Sequence, residues 1–168
     1  MGEDEAGRFA AACGEALRRA YRDLSRPRFD FVWEAVEREP CADVLRDLSA
    51  VCPVEDDTDV NCDVCFTYIA RCERVLTVRL SMVGPYAMAY ATGPDGFGEV
   101  SPVVAPEQCA GPGEAEVLGI VARHGFLLPT VEWLEREVRI ALREDTDSVP
   151  LHAALFEPDG DLPWRRAG

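Results

Sequence analysis

The sequence contains no lysine, and it has only one asparagine, one glutamine and two histidines. All seventeen positive charges are therefore arginines, a bias that favours a GC-rich, bacterial coding genome. The two histidines, His124 and His152, are isolated from each other and lie in helical or apolar patterns, and the chain has no G-x-S-x-G motif. Because no motif indicates a catalytic nucleophile or a base that could activate it, we predict that the protein is not an enzyme and has no cofactor.

Two other features are missing from the sequence. It has no run of roughly 18 consecutive apolar residues, the length that a membrane-spanning helix needs. Its first residues, MGEDEAGRF, are acidic, whereas an export signal begins with positive charge followed by an apolar run. We therefore expect a soluble protein that stays in the cytoplasm, where its seven cysteines are mainly reduced and act as small hydrophobic residues.

Basic residues are few relative to acidic ones, and the net charge is −14. Such a charge repels nucleic acids, because binding them requires clustered bases that neutralise phosphates. It would instead attract a basic protein partner and speed its association, an effect that salt weakens. The alternative is that the acidic surface only keeps the protein soluble.

The length of 168 residues suits one well-filled core, and we predict a single α+β domain. Its antiparallel sheet is expected to have three to five strands, covered by N-terminal and C-terminal helices on one face. We expect four segments along the chain: a helical part (1–51), an acidic loop (52–63), a β-meander (64–92), and helices with a last strand at 138–142 (113–168).

Local patterns place these elements. Apolar residues at intervals of three and four predict a helix over residues 5–24. Residues 75–83 are predicted to form a half-buried strand, because Leu76, Val78, Leu80 and Met82 alternate with Thr77, Arg79 and Ser81. Thr130 is expected to cap one short helix and Pro150 to begin another. Trp164 lies beyond the last predicted element, and its large apolar area favours packing back onto the domain.

Residues 55–65 read EDDTDVNCDVC and combine the beginnings of two metal-binding motifs. A calcium loop that starts at Asp57 would need a glycine at its sixth position and a glutamate at its twelfth. The chain has Cys62 and Tyr68 there. The stretch therefore does not predict a calcium site.

Zinc needs four converging ligands, and this stretch offers one C-x-x-C pair, Cys62 and Cys65. A site built from Cys52, Cys62, Cys65 and Cys72 is an alternative, but cysteines buried beside a strand are the favoured interpretation. Redox catalysis is disfavoured, because a strand-like run follows Cys65 where a helix would be needed to lower the thiol pKa.

Without a metal, the stretch is a run of five acids that joins the helical part to the sheet. We predict that it is the docking loop for a basic protein partner. Two alternatives stay open: a small zinc-binding or metal-dependent domain that uses the Cys52 to Cys72 region, and an adaptor subunit of a larger bacterial assembly. The predicted partner-binding residues are Glu55, Asp56, Asp57, Asp59 and Asp63.

Three motifs, LSMVGPYAMAY, HGFLLP and LHAALFEPDGDLPW, lie between Leu80 and Trp164, roughly the second half of the chain. Together they are similar to small bacterial proteins of uncharacterised function that share a strand ending in GPY and a closing helix ending in LF. The size and acidity also resemble the broad class of bacterial immunity proteins, which are single-domain inhibitors that neutralise a toxin. This resemblance implies a toxin as the basic partner, and it assigns no binding residue.

Overall fold

The computed structural model describes residues 2–166, and within this range it has six α-helices and two antiparallel sheets. The helices are α1 (Glu3–Tyr21), α2 (Asp30–Arg38), α3 (Ala42–Ser49), α4 (Pro112–Arg123), α5 (Val131–Glu135) and α6 (Leu151–Leu155). The strands are β1 (Val54–Asp56), β2 (Cys65–Arg71), β3 (Val75–Ser81), β4 (Ala87–Thr92), β5 (Ser101–Pro102), β6 (Glu137–Arg143) and β7 (Thr146–Pro150). The predicted single α+β domain is confirmed. None of the helices described is both long and apolar enough to cross a membrane.

The main sheet has the strand order β1-β2-β3-β4-β5, and every strand pairs antiparallel with its neighbour in the chain. Strands β2 to β4 form the meander predicted for residues 64–92. The GPDGFG segment after β4 is a turn, closed by a hydrogen bond of 2.8 Å from Gly93 N to Phe97 O. Its glycines Gly96 and Gly98 adopt positive φ angles, which a side chain would strain.

The acidic loop predicted for residues 52–63 is wrong in part, because residues Val54–Asp56 form the edge strand β1. Val54 is paired with Ala70 and Glu55 with Ile69 of β2. Val54 packs against the core, while Glu55 and Asp56 remain exposed. Charged side chains are common on edge strands, where they discourage pairing with another chain, so acidity and strand formation are compatible here.

Helices cover both faces of the main sheet, whereas the sequence predicted one covered face. The face formed by Leu76, Val78 and Leu80 packs against α3 and α4, and the opposite face packs against α1, α6 and the β6-β7 hairpin. Polar residues of β3 are buried on this second face because the C-terminal segment supplies partners. Ser81 Oγ donates to Leu155 O at 2.7 Å, and Arg79 pairs with Glu157 at 2.8 Å.

The C-terminal part follows the predicted order with one strand added. Thr130 caps α5 as predicted, because its hydroxyl accepts a hydrogen bond from Trp133 N. The predicted last strand is β6, but a second strand, β7, pairs with it and leads through Pro150 into α6. Polar residues dominate β7, so its sequence lacks the alternation that identifies a strand. Trp164 packs against the core, and its ring nitrogen donates to Glu135 at 3.3 Å.

Candidate functional site

The five predicted docking acids lie along one continuous surface segment, residues 55–63, which we call the acidic ridge. Glu55 and Asp56 lie on β1, Asp57 and Asp59 follow it, and Asp63 lies just before β2. Within residues 2–166, none of these carboxylates forms an ion pair with an arginine. Their negative charge is therefore not neutralised by a direct partner in the fold.

Short-range hydrogen bonds hold the ridge in a defined shape. Asp56 Oδ1 accepts from the backbone N of Thr58 at 3.0 Å and from its hydroxyl at 2.7 Å. Asp59 Oδ1 accepts from Asn61 N at 3.1 Å. In the middle of the segment, Asp57 N donates to Thr67 O of β2 at 2.8 Å. Aspartate side chains that bond the backbone two residues ahead stabilise turns, so the ridge is a structured segment.

A groove of about 400 Å³ separates the ridge from α2, and two exposed aromatic rings line it. Trp33 is 56% exposed and Phe29 is 42% exposed, although both are large and apolar. Phe29 is held by an edge-to-face contact with the buried Tyr21 ring, with centroids 5.6 Å apart. The complete lining is Phe29, Val32, Trp33, Val60, Asn61, Cys62, Asp63, Val64, Leu142, Pro158 and Asp159. We call this the aromatic groove.

Asp63 is the half-buried carboxylate of the aromatic groove. Burial raises the pKa of Asp63 to about 6, although the positive charge of Arg79 opposes this rise. Arg79 is itself engaged by Glu157 at 2.8 Å, and the same Glu157 oxygen binds Arg166 at 2.6 Å. Arg79 and Arg166 therefore both pair with Glu157, and Asp63 lies near them without forming an ion pair with either arginine.

A second groove, of about 570 Å³, lies on the other side of the ridge, between it and the residues of α2 and α3. Asp56 and Thr58 line this second groove, and Val60 lines both grooves. Of the five predicted residues, Asp63 lines the aromatic groove and Asp56 lines the second groove, whereas Glu55, Asp57 and Asp59 line neither. The ridge presents acids toward two different concave surfaces.

Neither histidine lines the two grooves. His152 is fully buried beside Phe156, and neither of its ring nitrogens has a hydrogen-bond partner within the described residues. Burial, together with the charge of Arg79, lowers the pKa of His152 to about 3, so the ring is neutral. His124 caps the C-terminal end of α4, with its Nε2 2.7 Å from Asp47 Oδ2.

The four cysteines of the zinc alternative lie in three different places. Cys52 and Cys72 meet on one face of the main sheet, with sulfur atoms 3.5 Å apart. Cys65 is fully buried on the opposite face, and Cys62 is exposed on the ridge. Among residues 2–166, no group of three or more His, Cys, Asp or Glu side chains is arranged to hold a metal ion.

Sequence reasoning missed the aromatic residues of the site. In α2, Val32 and Val36 belong to the apolar stripe that faces the protein, and the exposed Trp33 lies outside it. A tryptophan on the polar face of an amphipathic helix is the signal that could have identified it. Asp159 was missed because it is far from the ridge in the sequence and reaches the groove only through the C-terminal segment.

The aromatic groove combines ring faces with carboxylates, an arrangement suited to a cationic side chain. A guanidinium group can stack on a tryptophan ring while it donates hydrogen bonds to a carboxylate. Comparison of the chain with family models, with curated proteins and with solved structures finds no match in any of the three.

Proposed function

We propose that this protein binds a basic protein partner, which inserts an arginine-bearing segment into the aromatic groove beside the acidic ridge. The observation that supports this most directly is the exposed Trp33, which shares its groove with Asp63 and Asp159. Apolar rings of this size are usually buried, and tryptophan is enriched at the centres of protein interfaces.

The charge distribution supports the same partner. The net charge of −14 would steer a basic protein toward this surface from a distance. The ridge then supplies carboxylates that have no ion-pair partner within residues 2–166, so a cation need not displace an internal arginine. Long-range charge would set the association rate, and stacking on Trp33 would slow dissociation.

Within this proposal, inhibition of a toxin is the role that fits the chemistry best. A toxin that acts on nucleic acid has a basic cleft for phosphates, and carboxylates can take the place of those phosphates. An acidic ridge that follows the cleft, with an aromatic anchor beside it, would block access to the substrate. Such a protein needs no catalytic group of its own.

The test begins with a displayed library of arginine-containing peptides, selected on the full chain, with glutamate-containing peptides as the counter-selection. Binding kinetics of a selected peptide are then measured at low and high salt. The ridge variant Glu55→Gln/Asp56→Asn/Asp57→Asn/Asp59→Asn should lower the association rate constant roughly tenfold at low salt and flatten its salt dependence. Trp33→Ala should instead raise the dissociation rate constant roughly tenfold.

The matched control removes four exposed acids from the β6-β7 hairpin: Glu137→Gln/Glu144→Gln/Asp145→Asn/Asp147→Asn. This variant has the same net charge as the ridge variant, so it separates the position of charge from its amount. If the control variant lowers the association rate constant much less than the ridge variant does, docking at the ridge is supported. Equal effects of the two variants, together with an unchanged dissociation rate for Trp33→Ala, would overturn the proposal.

A further inference from the structure

Two cysteines twenty positions apart, Cys52 and Cys72, meet beside the main sheet. The Cys72 thiol donates a hydrogen bond to the Cys52 sulfur, and the two Sγ atoms are 3.5 Å apart. Both residues are partly exposed. We propose that they are a redox modification site, which closes to a disulfide on reaction with a low-molecular-weight disulfide such as oxidised glutathione.

Strand register brings the two cysteines together. Val54 of β1 lies opposite Ala70 of β2, so the pairing continued by two residues places Cys52 opposite Cys72. A hydrogen bond of 3.0 Å from Arg71 N to Pro53 O extends the ladder toward them. Since residues 53 and 71 share a ladder hydrogen bond, the next pair is of the non-hydrogen-bonded type, in which facing side chains approach most closely. That approach is what a disulfide needs.

The other cysteines lack such a neighbour. Cys65 and Cys13 are buried in the core, Cys41 is buried beside α3, and Cys62 is exposed on the ridge. Cys109 is half-buried, and its sulfur contacts a backbone oxygen, Ala105 O, at 3.8 Å. Cys52 with Cys72 is the one thiol–thiol hydrogen bond found in residues 2–166.

The reaction is two thiol–disulfide exchanges. The Cys52 thiolate attacks one sulfur of oxidised glutathione, which forms a mixed disulfide and releases one glutathione thiolate. Cys72 then loses its proton, and its sulfur attacks the Cys52 sulfur and displaces the second glutathione. Two cysteine S–H bonds are replaced by one S–S bond, and the two protons and two electrons leave with two molecules of glutathione.

Cys72 is the resolving residue in this sequence. Burial and the neighbouring Cys52 sulfur raise the pKa of the Cys72 thiol to about 12, so it keeps its proton and donates it to Cys52. The closed loop of residues 52–72 contains the whole acidic ridge, and the bond would join the segment before β1 to the turn after β2.

The experiment treats the reduced full-length chain with oxidised glutathione and then blocks remaining thiols by alkylation. Cleavage after arginine separates Cys72 from the preceding residues at Arg71, and cleavage at the ridge acids separates Cys52 from Cys62 and Cys65. Mass spectrometry should find the Cys52 peptide joined to the Cys72 peptide. The oxidised protein should also unfold at a higher temperature than the reduced protein, because the cross-link restricts the unfolded chain.

Variants separate this pair from general thiol reactivity. Cys72→Ser should stop after the first exchange and accumulate a stable glutathione adduct at Cys52. Cys62→Ser, which alters an exposed cysteine on the ridge, should leave formation of the Cys52–Cys72 bond unchanged. If the wild-type chain keeps glutathione on Cys52, joins Cys52 to another cysteine, or leaves both thiols free to alkylate, the proposal is overturned.

Discussion

Two groups of acids in this protein differ in how they contact the rest of the fold: one group is held by hydrogen bonds and an ion pair, and the other has no ion pair among the described residues. At the start of α4, Glu73 accepts hydrogen bonds from Gly113 N at 2.9 Å and from Glu114 N at 2.8 Å, in the manner of a helix cap. The fully buried Glu114 pairs with Arg74 at 2.7 Å. We call Glu73 and Glu114 the anchored acids. The acids of the ridge have no ion pair of this kind within residues 2–166.

The pKa shifts separate the two groups further. Burial acts to raise the pKa of Glu114, but hydrogen bonds from Arg74 and Ala110 outweigh it, and the pKa lies below its ordinary value. Hydrogen bonds from the backbone of Gly113 and Glu114 lower the pKa of Glu73. Asp63 of the ridge shifts the opposite way, to about 6, because burial dominates. Ionisation of Asp63 destabilises the folded protein, because the half-buried carboxylate has no ion pair with an arginine within residues 2–166. An arginine of a bound partner would supply the missing positive charge.

The largest expected effect is on an anchored acid. Glu114→Gln keeps the side-chain volume but removes the charge that holds Arg74, and we expect the free energy of unfolding to fall by about 2–3 kcal/mol in a urea titration. Glu116→Gln on the same helix is the matched control, since its pair with Arg123 is exposed and 3.5 Å long. The control should change stability by less than about 0.5 kcal/mol. Equal losses in the two variants would contradict the anchored role of Glu114.

A smaller effect of opposite sign is expected at Asp63. The folded pKa, about 6, exceeds the ordinary value of 3.8, so the folded state binds the additional proton between these values. The contribution of this group to stability is complete below pH 3.8 and is lost as pH rises through 6. Asp63→Asn removes the ionised form, and it should raise the free energy of unfolding at pH 7 by on the order of 1 kcal/mol after solvent screening.

The pH dependence of the stability gained by Asp63→Asn shows whether the ionisation of Asp63 is its cause. Urea titrations at several pH values should show that the advantage of Asp63→Asn at pH 7 disappears by about pH 4, where Asp63 is protonated in the wild-type chain. Asp159→Asn removes the same charge from an exposed acid of the same groove, so it is the matched control for the loss of a carboxylate there. A variant that is less stable than wild type at pH 7 would mean that Asp63 belongs with the anchored acids. The same Asp63→Asn variant should weaken binding of the selected peptide.

The sequence was sufficient for the elements whose signals are local. The three-and-four spacing in α1, the alternation in β3 and the Thr130 cap are each contained in a few neighbouring residues, and the structure confirms all three elements. Two details were wrong: α1 ends at Tyr21 and not at residue 24, and β3 is buried on both faces and not half-buried. β1 was missed because only Val54 to Asp56 pair, and three residues are too few for a visible alternation. The second covered face was missed because Arg79 and Ser81 read as solvent-facing until partners from the C-terminal segment bury them.

For the candidate site too, the sequence was sufficient only for the part that is contiguous in the chain. The ridge is continuous in the sequence, so its acids were found from composition alone. The aromatic groove joins residues 29–33, the ridge and residues 158–159, and only the fold brings these three segments together. The Cys52 and Cys72 pair was considered for zinc, but their direct contact depends on the register of an edge strand that the sequence did not reveal.

The smallest effect on stability is expected for the exposed acids of the ridge. Glu55→Gln and Asp57→Asn remove charges that have no ion pair within residues 2–166, so the free energy of unfolding should stay within about 0.5 kcal/mol of wild type. Any gain should appear at low salt, because it comes from reduced repulsion among neighbouring acids, and should vanish in roughly 1 M salt. Urea titrations at the two salt concentrations measure this directly. A loss above about 1 kcal/mol would show that these acids support the fold. Unchanged stability combined with slower peptide association would assign their charge to binding.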